Sequence, residues 1–216
     1  MTTVPSAVGD DVLLPPEKEI ERVNDMISPE MERLNLEMIS DDTEVRCSAL
    51  KRMDELARSR DVDATCLPSL MILMRSVNLE DRRRSSRIAA KMAQNRVEAF
   101  WPFDLLNVLT EDKDAEVREN AAWTLGELAS MRVGVHSSIT FLTELLLDRE
   151  AMVRGTTSWA LGQFAEHLHM SSQLAAERLE KLTYDRSPYV SKSATVALEI
   201  IRGSSSLCSR PSRERP

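Results

Sequence analysis

This chain is short of what a β-sheet, a disulfide framework or a membrane span would need. It has six glycines in 216 residues and only 4% aromatics. Hairpins and sandwiches depend on glycine turns and aromatic or β-branched strands, so this scarcity argues against a β-rich fold. Its three cysteines, Cys47, Cys66 and Cys208, are odd in number and lack chelating spacing. That excludes a disulfide scaffold and suits reduced thiols, two of them packed among helices. No apolar run approaches the ~20 residues of a spanning helix. The N-terminus is acidic, and its longest apolar stretch is Val12-Leu13-Leu14, unlike a secretory signal. A cytoplasmic location without membrane contact is therefore expected. Cations are also scarce: 28 Lys and Arg stand against 35 Asp and Glu, a net charge of −7. Phosphate binding needs clustered cations, so this balance argues against nucleic acid and for a neutral or basic partner.

What the chain does have is a repeat. The phrase Glu116-Val117-Arg118, followed by Ala121-Ala122-Trp123-Thr124-Leu125-Gly126, returns as Met152-Val153-Arg154, followed by Thr157-Ser158-Trp159-Ala160-Leu161-Gly162. Fainter copies are anchored at Val45, Asp81 and Val190, so anchors at 45, 81, 117, 153 and 190 are spaced 36, 36, 36 and 37 residues apart. Such a period means stacked supersecondary units, that is, a solenoid. Each unit reads as two helices. The first helices are expected near 28–40, 63–76, 98–110, 136–147 and 171–184, the second near 43–58, 79–95, 114–131, 150–168 and 188–202. Ser28-Pro29-Glu30 has the form of a helix start, and Pro68 and Pro102 fall in first turns. Residues 1–27 read as a flexible arm with a possible short capping helix, and 203–216 as a disordered tail.

The second helices carry the clearest pattern. Positions 0, +4, +8 and +11 from each anchor fall within about 80° of one another on a helix. They read Val117, Ala121, Leu125 and Leu128 in unit three, and Val153, Thr157, Leu161 and Phe164 in unit four. This stripe should face the unit's own first helix. Small residues at +5 and +9 (Ala122 and Gly126, Ser158 and Gly162) lie on a neighbouring face and would let adjacent units approach closely. Unit two fits worst, with Asp81, Ser85, Ala89 and Met92. Either its helix starts later and Ile88 takes a core place, or the unit is a weak joint.

The phrase at Glu116-Val117-Arg118, Ala121-Ala122 and Leu125-Gly126 resembles the HEAT repeat, closest to the short type found in phycobilin lyase subunits. The resemblance spans roughly residues 28–202. It implies an all-α solenoid, a right-handed superhelix of about five helix pairs with the second helices lining the concave face. Most members of the family are scaffolds and adaptors.

Trp123 and Trp159 share position +6 and should point away from their own unit's core, about 10 Å apart at ordinary helix spacing. Glu127 and Gln163 follow each by one turn, and Glu119 precedes Trp123 by one. A Trp with a polar residue one turn later resembles the peptide-gripping array of armadillo import adaptors, which have Asn where this chain has Glu127 and Gln163. These five residues are the candidate partner-binding site; alternatively, each Trp fills the groove between adjacent second helices. Arg46, Arg82, Arg118 and Arg154 form a second row at +1, read as a structural ladder to turn carbonyls or acids of a neighbouring unit. Arg84, Arg87 and Lys91 share a helix face and form a candidate patch for an anion or acidic partner, or simply a solvated face.

Catalytic signals are thin. His136, His167 and His169 are the only histidines, and the last two project from different sides of a helix. There is no glycine-rich phosphate loop, nucleophile elbow or repeated His-Glu pair of the HEAT-type hydroxylases. The expectation is a non-catalytic scaffold without metal or organic cofactor that holds a protein segment, basic in character, on its concave face. Two alternatives come with the resemblance: an accessory subunit that grips a tetrapyrrole or its carrier protein, and, more remotely, a HEAT-like DNA glycosylase.

Overall fold

The computed structural model describes residues 28–208, with side chains to 203; the N-terminal arm with its possible capping helix, and residues 209–216, lie outside the described residues. Ten α-helices and one 3₁₀ turn make up the described chain, with no strand among these residues. They form five consecutive pairs: α1 (Pro29–Met38) with α2 (Thr43–Ser59), α3 (Leu67–Leu73) with α4 (Leu79–Gln94), α5 (Phe103–Leu109) with α6 (Ala115–Ser130), α7 (Ser137–Leu145) with α8 (Ala151–Leu168), and α9 (Gln173–Leu182) with α10 (Pro188–Cys208). The second helices pack side by side in chain order, and the first helices form an outer layer against them. This is an α-solenoid. No described helix is long and apolar enough to cross a membrane.

Local chemistry starts each long helix at the expected register. Asp42, Asn78 and Asp114 each accept two backbone N–H bonds at the N-terminus of their second helix, satisfying donors that the helix itself leaves open. Glu150 stands at the same place without a side-chain cap bond, and Ser28 precedes Pro29 likewise without one. Helix α10 runs to Cys208, past the boundary expected at 202.

The apolar stripe is buried as its spacing requires. Val117, Ala121, Leu125 and Leu128, and Val153, Thr157, Leu161 and Phe164, are all 1% exposed or less. Val45 is the exception at 38%, because unit one has no preceding unit over it among the described residues. Two positions that the other units bury are charged and exposed at an end unit. Position +7 is buried as Ile88, Thr124, Ala160 and Ala197 but is the exposed Arg52 in unit one. Position +9 is buried as Ala90, Gly126 and Gly162 but is the exposed Glu199 in unit five.

The small residues do what their position implies. A Cβ on Gly126 would overlap the Trp159 ring and come within 3.0 Å of the Ala160 backbone, and one on Gly155 would run into the Tyr189 ring. Glycine is thus the seat on which the next unit's aromatic rests.

The +1 arginines form a ladder between units. Arg46 reaches Asp81 at 3.1 Å, Arg82 reaches Asp112 at 2.8 Å, Arg118 reaches Asp148 at 2.6 Å, and Arg154 reaches Asp185 at 2.8 Å. Each also donates to carbonyls of its own inter-helix turn: Ser40, Ser76, Asp112 and Asp148. Asp42 and Asp114, three residues before their anchors, cap helices instead; the ladder partners Asp112, Asp148 and Asp185 sit two residues earlier in the next unit's turn, and Arg46 takes Asp81 on the next second helix.

Unit two keeps the common register. Its helix starts at Leu79, not later, and Ile88 is fully buried beside the stripe. Asp81 occupies the valine position at 3% exposure because Arg46 and the Ser76 hydroxyl both bond its carboxylate. Further ion pairs, Arg83 with Asp114 at 2.6 Å and Arg87 with Glu116, join it to unit three.

The second helices end in a way the sequence did not signal. Arg60, Arg96, Arg132 and His169 adopt left-handed backbone at φ 67°, 60°, 62° and 54°. Glycine is the usual residue there. At Arg60, Arg96 and Arg132 a cation stands at a helix C-terminus, where the helix dipole favours it.

Two stability measurements follow. Gly126→Ala should destabilise the protein by about 1–3 kcal/mol through overpacking, read as a lowered urea midpoint with unchanged slope. The hydrogen bond from Arg83 holds the Asp114 carboxyl below its ordinary value. At Asp148, burial pulls upward, but bonds from Arg118 and the Glu150 N–H outweigh it and hold that carboxyl low as well. A depressed folded pKa gives stability that is present above the ordinary carboxylate value of 3.8 and is lost as pH falls through the folded value. The urea midpoint should therefore fall steeply below about pH 4. Asp148→Asn should lower it at neutral pH and flatten that acid limb.

Candidate functional site

Positions +2, +6 and +10 of the second helices line up on the face turned away from the first helices. In unit three they are Glu119, Trp123 and Glu127; in unit four, Gly155, Trp159 and Gln163. All five candidate side chains (Trp123, Trp159, Glu119, Glu127 and Gln163) are half-buried. The structure brings them together on adjacent helices α6 and α8.

The two indoles are closer than ordinary helix spacing predicts. Their ring centroids lie 6.4 Å apart at an interplanar angle of 67°, an edge-to-face pair, an arrangement that the aromatic quadrupole favours. The reason is Gly126: its missing side chain lets Trp159 lean back onto α6. The two tryptophans therefore differ in role. Trp159 packs against the core and fills the inter-unit groove as well as facing outward. Trp123 is held by a 2.9 Å hydrogen bond from its Nε1 to Glu127. Lys91 of α4 places its ammonium 5.7 Å from the Trp123 ring centroid, within cation–π range.

Glu119 is a weakly bonded carboxylate. Its one hydrogen bond is a long 3.4 Å contact from the Thr156 hydroxyl, which also meets the Tyr189 hydroxyl at 3.1 Å. Among the described residues no cation pairs with it. Burial, and secondarily the neighbouring Glu116, push its carboxyl above the ordinary range, against the Thr156 bond. It lines a cleft of about 370 Å³ between α4 and α6, together with Arg87, Lys91, Glu116, Asn120 and Trp123.

The basic trio has a different surrounding. Arg84 pairs with Glu80 at 2.6 Å, Arg87 pairs with Glu116, and Lys91 bonds the Gln94 side chain at 3.1 Å and faces Trp123. Both guanidiniums are thus engaged by acids, one within the helix and one across the unit joint, and that weakens the patch as a seat for an external anion. Sequence spacing placed the cations but not the acids facing them, since Glu116 lies a full unit away. Buried Cys66 is similarly withdrawn from chemistry: burial, with Asp63 nearby, pushes its thiol up to about 12.

This geometry, repeated side-chain columns on packed parallel helices, defines a helical-repeat solenoid of the armadillo and HEAT type. Residues 103–203, covering units three to five, match the HEAT repeats family. No curated protein matches the chain. Similar solved structures include an engineered protein, 23% identical, covering 88% of this chain and 85% of that one at a TM-score of 0.65. Computationally designed armadillo repeat proteins for modular peptide recognition are 19% identical over 82% of this chain and 88% of theirs, at 0.64. A designed armadillo repeat protein solved in complex with the peptide (KR)4 is 18% identical over 85% and 86%, at 0.59. At these identities the likeness concerns the fold alone.

Glu119→Gln tests the electrostatics of the site. A raised folded pKa means that ionisation opposes folding, so the favourable contribution is full below the ordinary glutamate value and lost as pH rises through the folded one. The amide should therefore raise the melting temperature at pH 7 and leave it nearly unchanged at pH 4.

Proposed function

We propose that this protein is a non-catalytic scaffold that holds a basic segment of another protein across its second-helix face, centred on Trp123, Trp159, Glu119, Glu127 and Gln163. The observation that carries the reading is Glu119: a half-buried carboxylate in the same cleft as an indole, without the cation partner that Asp114 and Glu116 on the same helix end have. A partner's Lys or Arg entering the α4–α6 cleft would meet that carboxylate while its stem lies along Trp123. Glu127 and Gln163 would add hydrogen-bond acceptors one turn on. The ring is already a cation's seat, since Lys91 lies over it. The similarly folded designed armadillo protein solved with (KR)4 supports the reading by analogy of fold.

A lysine–arginine octapeptide, titrated while tryptophan emission is followed, tests the proposal; buried Trp101 supplies a constant background. Saturable binding is expected, weakening by about tenfold in Glu119→Gln, the loss of one charge-assisted contact. Trp123→Ala should weaken binding to a similar degree at little cost in stability, whereas Trp159→Ala should also lose about 2–3 kcal/mol of stability, because its ring fills the Gly126 seat. Absence of binding, or equal affinity in Glu119→Gln, would overturn the reading. A bilin that bound with a shifted visible absorption would point instead to the tetrapyrrole-binding alternative.

A further inference from the structure

Beyond the tryptophan pair the same face changes character. A second groove of about 230 Å³ opens between α8 and α10, and its walls are Trp159, Gly162, Val196, Ala197 and Ile200. It is apolar where the α4–α6 cleft is charged. Its chemistry follows the repeat columns. Position +6 reads Lys51, Arg87, Trp123, Trp159 and Val196, and position +10 reads Glu55, Lys91, Glu127, Gln163 and Ile200. The face passes from charged, through aromatic, to aliphatic. Val196 is 55% exposed, so this end of the face offers apolar surface to solvent.

Building on the proposed function, we infer that the α8–α10 groove is a second subsite that takes one aliphatic side chain of the same bound segment. Two observations select that occupant. The groove is continuous with the first site, since Trp159 forms part of the indole pair on one side and a wall of the groove on the other. Its one charged lining group is Lys192, which repels a basic residue here, while Glu119, on α6, attracts one. Charge complementarity thus orders the two residues along the segment: the cation at α6 and the aliphatic side chain at α10.

The helices also set their separation. From α6 to α10 is two inter-helix steps of roughly 10 Å each. An extended chain covers that distance in about six residues. The face therefore reads a basic residue and an aliphatic one about six positions apart. A helical segment, rising about 1.5 Å per residue, would need roughly thirteen.

The test uses the full chain and synthetic peptides of about ten residues. One set carries an arginine pair at one end and a leucine six positions away, in both orders along the chain. The controls replace that leucine with serine or move it to two positions from the arginines. In one order, the spaced leucine peptide should bind about tenfold more tightly than its serine counterpart, the effect of burying most of an aliphatic side chain. Val196→Asn, at an exposed position and without a change of charge, should abolish that gain and leave the affinity of the serine peptide within about twofold. Equal affinity of the leucine and serine peptides, or a gain that survives Val196→Asn or the shortened spacing, would overturn the subsite while leaving the basic-segment reading intact. If no arginine peptide binds at all, both fail together.

Discussion

The position of every functional side chain depends on an ion pair that crosses from one unit to the next. An arginine one residue past each anchor holds the carbonyls of its own inter-helix turn and, with the rest of its guanidinium, an aspartate of the following unit. The paired side chains retain little exposure, 10% and 7% at Arg118 and Asp148. Pairs withdrawn from water in this way add little net stability, because desolvation offsets attraction. What they supply is register. From Arg82, Arg118 and Arg154 the planar fork grips the next turn's aspartate with two nitrogens, which ties each of these units to the next at equivalent positions.

Once the columns exist, side-chain identity alone distributes the chemistry. Every unit is the same helix pair, yet the outward columns carry charged side chains in units one and two, an indole and two acids in unit three, an indole and an amide in unit four, and a lysine and two aliphatics in unit five. Gly126 adds the one departure from regular spacing. By admitting the Trp159 ring it turns two separate aromatics into a single edge-to-face pair. A repeat architecture with no central pocket thereby acquires a graded binding face, and the gradient gives it a direction. The weakest stripe, in unit two, is rescued by charge instead of hydrophobic contact: Asp81 stands where valine stands elsewhere, and it is buried only because Arg46 arrives from the unit before.

Much of this was legible in the sequence. The 36-residue period and the stripe at 0, +4, +8 and +11 specify helix pairs and the side on which each buries itself, because local periodicity and burial are tied by helix geometry. Ala122, Gly126, Ser158 and Gly162 marked the face of close approach. The arginine row was readable as structural. Its partners were not: Asp42 and Asp114 are helix caps, and the true partners lie a unit away, in the next turn for Arg82, Arg118 and Arg154 and at Asp81 on the next second helix for Arg46. The left-handed helix ends at Arg60, Arg96, Arg132 and His169 carry no glycine to signal them.

The sequence by itself determined the unit, its number and its two buried faces, all consequences of short-range periodicity along one chain. Only the tertiary structure decided which charges cancel and which remain open. Arg87 is neutralised by Glu116 and Glu119 is left without a cation, although both acids lie on one helix three residues apart. The physical reason is that electrostatic pairing is set by distance across units, and that distance depends on how far one helix can sink toward the next.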